Sequence, residues 1–134
     1  MQTTILIVEG DELVRGSLRE WLKSAFLAFR IVTAATDEEA IAVARDLLPS
    51  IVIIDAGLPV LAGLEATQRI KTLLPQAQVV VLSVHEAPIY RARATAAGAS
   101  AYVTKSKMHT ELLPVLMSLL PGQEKVNAVA THYE

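Results

Sequence analysis

Five short apolar runs rich in β-branched residues recur along this chain at regular spacing: Ile5–Val8, Ile31–Thr33, Ile51–Ile54, Val79–Leu82 and Ala101–Thr104. Most are apolar throughout rather than alternating, as strands covered on both faces are. Between the runs the apolar residues change to helical period. Leu13, Ser17, Leu18, Trp21, Leu22 and Ala25 make one stripe, Ala40, Ile41, Ala44, Leu47 and Leu48 a second, and Ala66, Ile70 and Leu73 a third. Strand–helix alternation needs crossover connections, which are right-handed, so the pattern predicts a doubly wound α/β domain with a five-stranded parallel sheet. The 134 residues hold one such domain, large enough to bury about two-thirds of its unfolded surface.

Local signals mark the boundaries. Thr36 followed by Glu39 reads as a capping box opening the second helix. Pro88 suits the first turn of the fourth helix, and Gly98 suits the residue just past its end. Pro49 and Pro75 each stand where a helix must stop before the next strand. Pro121-Gly122 closes the fifth helix, which predicts a domain over residues 1–122 and a tail or truncated linker over 123–134.

Composition narrows the function classes. Hydrophobic residues make up 52%, too many for a disordered chain. With 12 Lys plus Arg against 14 Asp plus Glu, net charge −2, the chain is not built to neutralise a phosphate backbone, and no direct nucleic-acid binding is expected. The Arg91/Arg93 and Lys105/Lys107 pairs are too sparse for a recognition element. Cysteine is absent, which removes disulfides, thiolate catalysis and Cys-ligated zinc. The mean hydropathy is positive. No uninterrupted apolar run reaches the ~18–20 residues of a membrane span, and no signal-peptide pattern opens the chain, so a cytoplasmic protein is expected.

In an open α/β sheet the ligand site lies beyond the carboxyl ends of the strands. Glu9-Gly10-Asp11, Asp55, Ser83 and Thr104-Lys105 end four of the runs, so acids, a hydroxyl and a lysine converge on one rim. Asp55 closes the run Ile51-Val52-Ile53-Ile54, where a carboxylate is costly without partners. An acid from the first strand and a lysine from the fifth suit it to phosphoryl transfer. A carboxylate nucleophile needs a divalent cation on the phosphoryl oxygens and a second cation for the remaining charge. A haloacid-dehalogenase-type phosphatase would need a second Asp two positions on, where Gly57 stands. No phosphate-binding glycine loop follows the first strand, and His85, His109 and His132 have no ligand spacing.

The rim residues resemble the receiver domain of two-component response regulators. The resemblance is carried by Ile5-Leu6-Ile7-Val8-Glu9-Gly10-Asp11-Glu12, by Asp55-Ala56-Gly57-Leu58-Pro59 with Gly63-Leu64-Glu65-Ala66, by Val81-Leu82-Ser83, and by the segment from Ala96 to Lys105. It covers about residues 4–120 and is nearest to receivers fused to a LuxR-type helix-turn-helix. It implies a flavodoxin-like (βα)5 sheet of order 2-1-3-4-5. Asp55 would be the phosphoacceptor, served by a sensor histidine kinase. Mg2+ would be held by Glu9, Asp11, Asp55 and the Gly57 carbonyl. Lys105 would pair with the phosphoryl oxygens. Ser83 would swing in to bind one of them, and Tyr102 would move into the space it leaves. Gly57 and His85 would tune dephosphorylation. The chain would be a signalling switch rather than an enzyme on outside substrates, acting on a downstream protein or a fused DNA-binding output domain.

One position departs from the family pattern of two adjacent acids after the first strand. Gly10 replaces the second, the one the resemblance implies contacts the metal directly, and hard cations demand oxygen. Either Asp11 moves in, or Mg2+ affinity falls; reduced affinity is the expectation. The alternative function is therefore a degenerate receiver acting as a phosphorylation-independent interaction module. Finally, Leu112, Leu113, Val115, Leu116, Met117, Leu119 and Leu120 cover almost the whole circumference of the fifth helix, which predicts an outer apolar face for a partner or a homodimer.

Overall fold

In the computed structural model the described residues are 2–56 and 60–122, with the side chains of 60–62 excluded. The chain runs β1 (Thr4–Val8), α1 (Glu12–Ala25), β2 (Arg30–Ala34), α2 (Asp37–Leu47), β3 (Ile51–Ala56), α3 (Val60–Leu73), β4 (Gln78–Ser83), α4 (Pro88–Ala97), β5 (Ala101–Thr104), a 3-10 turn (Lys105–Lys107) and α5 (Met108–Leu119). All pairings are parallel, in the order β2-β1-β3-β4-β5. This is the expected doubly wound architecture.

The continuous apolar runs are explained by two cores, one on each face of the sheet. Ile5, Ile7, Ile51, Ile53, Val80 and Leu82 pack with Leu18 and Leu22 of α1 and Leu112 and Leu116 of α5. Their neighbours Leu6, Val8, Val52, Ile54, Val79 and Val81 pack with Ala40 and Ala44 of α2, Ala66 and Ile70 of α3, and Ala94 and Ala97 of α4. Each fully buried Ile, Leu or Val contributes roughly 1.5–3 kcal/mol.

The capping signals hold. Thr36 accepts the Glu39 N–H at 3.1 Å, and Pro88 stands in the first turn of α4. Gly98 ends that helix at φ 109°, a left-handed conformation glycine adopts without steric cost.

Three packing expectations need correction. Leu13 belongs to the apolar stripe of α1 by period, yet in the first turn of that helix it is 83% exposed. Leu48 is also solvent-facing, since it is the left-handed C-cap of α2 rather than part of its stripe. On α5 the apolar residues do not form a free outer face. Leu113, Val115, Met117 and Leu119 pack half-buried against the core, and the exposed positions are His109, Thr110, Glu111, Pro114 and Ser118. The tail 123–134, like Gly57, Leu58 and Pro59, lies outside the described residues.

Gly16 lies inside α1 with nothing within 4 Å of where a Cβ would sit. Gly16→Ala is therefore expected to raise stability by about 0.5–1 kcal/mol, read as a higher urea midpoint at unchanged slope.

Candidate functional site

Strand register builds the rim. Val8 pairs with Ile54, so the residues that follow, Glu9 and Asp55, emerge side by side. Asp55 pairs with Leu82, Ala56 with Ser83, and Ser83 with Thr104, which brings Lys105 over the same edge.

Asp55 is the centre. Its side chain is 1% exposed, and Oδ2 lies 2.6 Å from Lys105 Nζ. Its Oδ1 and Glu9 Oε2 are buried without a hydrogen-bond partner among the described residues. Glu9 Oε1 accepts the Asp11 N–H at 2.9 Å. Burial, and then the neighbouring Asp55 carboxylate, push the Glu9 pKa from 4.5 up to about 7. A protonated Glu9 can donate to Asp55, which two ionised carboxylates cannot do.

The sign of this shift fixes a pH dependence. Between about 4.5 and 7 the native chain keeps a proton that the unfolded chain releases, so this group's contribution to stability falls as pH rises through that window. Below the window it is flat, and above it the full cost is present. In the presence of chelator, Glu9→Gln should flatten this part of the pH–stability curve. The change is on the order of 1 kcal/mol after discounting for partial hydration and the Lys105 countercharge, and urea midpoints at pH 5 and pH 8 check it.

Asp11 is not brought into this pair. It is the N-cap of α1, its carboxylate accepts the Val14 N–H at 3.0 Å, and it is exposed. In this structure Asp11 acts as a helix cap through Oδ1. Gly10 offers no side-chain oxygen, and the Gly57 carbonyl lies outside the described residues. No group of three or more His, Asp or Glu residues able to hold a metal is found among the described residues. Glu9 Oε2 and Asp55 Oδ1 are still two orphaned carboxylate oxygens, the donor type a hard cation takes. Mg2+ can bind through one or two carboxylates while keeping several waters. The carboxylates of Glu9 and Asp55 fit such an ion.

The hydroxyl and aromatic residues sit beside the pair. Ser83 is fully buried, and its Oγ accepts the His85 N–H at 3.1 Å. Tyr102 is 6% exposed and donates its hydroxyl to the His85 carbonyl at 2.6 Å. The His85 ring stacks on Tyr90 at 4.4 Å, and its Nε2 is buried without a partner among the described residues.

Two contacts escaped the sequence reading. Arg15 Nη1 donates to the Glu9 carbonyl at 3.0 Å and to Gly10 at 3.4 Å, fixing the acidic turn. Ser106 donates to Glu86 Oε1 at 2.9 Å and bridges the loops after β4 and β5. Arg15 reaches back from α1 to backbone carbonyls, which no residue pattern marks, and Ser106 and Glu86 come from separate loops. A cavity of about 500 Å³ lined by Leu48, Leu73, Pro75, Gln78 and Pro121 contains none of these rim residues.

Comparison with known proteins follows the same outline. The sequence model of the response regulator receiver domain matches residues 5–116. The response regulator GacA of Pseudomonas aeruginosa is 29% identical over 123 residues, which is 92% of this chain and 58% of that protein. UvrY of Escherichia coli K12 is 28% identical over 122 residues, 91% of this chain and 56% of that protein. The chain thus spans little more than half the length of the curated relatives it matches. Among solved structures, a LuxR-family two-component response regulator from an Aurantimonas species superposes with a TM-score of 0.80 at 26% identity, covering 100% of both chains. The chemotaxis protein CheY4 of Vibrio cholerae shares the fold, with a TM-score of 0.79 at 23% identity over 90% of this chain and 100% of that one.

Proposed function

Because this chain belongs to the response regulator receiver domain family, we propose that it is a phosphoacceptor switch whose acceptor is Asp55. The observation that supports this reading most is the charge arrangement at the rim: a buried carboxylate 2.6 Å from a lysine ammonium, beside orphaned oxygens of Asp55 and Glu9. Buried polar atoms without partners are costly, and they persist where a ligand completes them.

In the proposed reaction a carboxylate oxygen of Asp55 bonds to phosphorus as the bond from phosphorus to the donor's imidazole nitrogen breaks. The electron pair stays on that nitrogen. Lys105, already within reach of Asp55, takes the charge of the phosphoryl oxygens. Glu9, Asp55 and the Gly57 carbonyl would hold Mg2+, which when bound neutralises the same oxygens. Ser83 would turn from the His85 N–H to a phosphoryl oxygen, and Tyr102 would respond, a two-state side-chain switch. Gly57 and His85 would set how fast water removes the group.

The partners in this reading are a sensor histidine kinase and a downstream protein or fused DNA-binding domain, acting in the cytoplasm. Among the described residues no helix is long and apolar enough to cross a membrane. A second reading, a phosphorylation-independent interaction module, is favoured by one observation: Gly10 has no side-chain oxygen where the family carries its second acid.

Incubation with a small acyl phosphate and Mg2+, followed by intact-mass measurement, separates the readings. Uptake of one phosphoryl group, abolished in Asp55→Asn, is the expected result. No uptake at any Mg2+ concentration would leave the interaction module as the function.

A further inference from the structure

One side chain that the phosphoacceptor reading does not use ties α4 to the switch aromatic. Arg91 Nη1 donates to the Tyr102 carbonyl at 3.0 Å, and its guanidinium carbon lies 5.2 Å from the centroid of the Tyr102 ring. The far end of that ring is anchored by the hydroxyl on the His85 carbonyl. His85 is itself fixed, by its N–H on Ser83 and by its ring on Tyr90, the neighbour of Arg91. The contacts close a circuit from the end of β4 through α4 to β5 and back.

A guanidinium suits this place. Its edge donates to a carbonyl while its face lies near a π-system, a combination a lysine ammonium cannot reproduce. Arg91 is otherwise exposed, so each contact has the modest strength of a partly hydrated cation. The carbonyl bond places the guanidinium, and the ring contact, which only the inward rotamer makes, biases a two-position side chain about two- to fivefold.

We propose that Arg91 is a positioning residue that holds Tyr102 in its inward rotamer, so that the switch aromatic is set by α4 and not by the state of Asp55 alone. The inference rests on the reading of Ser83 and Tyr102 as the switch pair. It implies a switch biased toward one position, in which phosphoryl transfer adjusts a population that Arg91 has already shifted.

The test follows the ring signals of Tyr102, resolved from the other two tyrosines, in the full chain by NMR, alongside a thermal melt. In Arg91→Ala the outward population should rise about twofold or more, moving the ring signals toward those of exposed tyrosine without loss of the folded state. Arg91→Lys, which keeps the charge and a donor but not the plane, should restore the signals in part. Tyr102 signals unchanged in Arg91→Ala would overturn the proposal. If that variant does not fold, Arg91→Gln is read the same way: a shifted Tyr102 ring supports the clamp and an unmoved one overturns it. Phosphoryl uptake at Asp55, measured on the same samples, judges the receiver reading separately. Its loss in the wild-type chain refutes that reading, whereas an unmoved ring with uptake intact refutes the clamp.

Discussion

Gly10→Asp is expected to bind Mg2+ at least tenfold more tightly than the wild-type chain and to take up phosphoryl groups faster at low Mg2+. Tenfold corresponds to about 1.4 kcal/mol, a modest demand for one added carboxylate beside a divalent cation. The substitution is sterically open. A Cβ at Gly10 would meet only the Ala35 carbonyl oxygen at 3.7 Å, an ordinary contact. Among the described residues Gly98 is the glycine with positive φ, so Gly10 needs no glycine-only backbone. The acid has a cost without metal, because a third carboxylate joins Glu9 and Asp55 at the rim. The same variant should therefore unfold at lower urea in chelator and gain more than the wild type from added Mg2+. Paired urea melts with and without Mg2+ check both halves.

Gly63→Ala carries the largest expected loss of stability. A Cβ at Gly63 would lie 2.7 Å from Ala56 Cβ and 3.1 Å from Ala56 Cα. Neither is the free end of a flexible side chain. Ala56 belongs to β3, the central strand, and pairs with Ser83. Gly63 is pinned from its own side by the Thr67 hydroxyl, which donates to its carbonyl at 2.9 Å. With both sides fixed, the helix must move off the sheet, at about 1–3 kcal/mol. Because Ala56 directly follows Asp55, the displacement should also lower phosphoryl uptake. Denaturation midpoints and the uptake rate together show whether the two losses accompany each other.

The strands were legible because most are apolar on both faces, a pattern a surface helix does not make. The rim was legible for the same reason: Asp55 and Ser83 interrupt apolar runs, and a parallel sheet brings strand ends to one edge. What sequence could not decide is which of several acids points where. Asp11 serves equally well as a ligand or as the first cap of a helix, and the cap is seen only in its bond to the Val14 N–H. Leu13 and Leu48 fit their helical stripes by period, but they fall at the ends of their helices and are exposed. The apolar residues of α5 look like a complete belt until the sheet is seen to occupy their flanks, leaving Thr110, Glu111, Pro114 and Ser118 outermost. Arg91 could not be found from spacing, because its partner is in another element and its contacts depend on the crossing of α4 over β5.

The most direct measurement of the central claim is the Mg2+ dependence of phosphoryl uptake by the wild-type chain, read by intact mass beside Gly10→Asp and Asp55→Asn. Uptake is expected only where Asp55 is present, still rising in the wild-type chain at Mg2+ concentrations that already saturate Gly10→Asp. Uptake that persists in Asp55→Asn, or a wild-type chain that saturates at the same Mg2+ as Gly10→Asp, would contradict that claim.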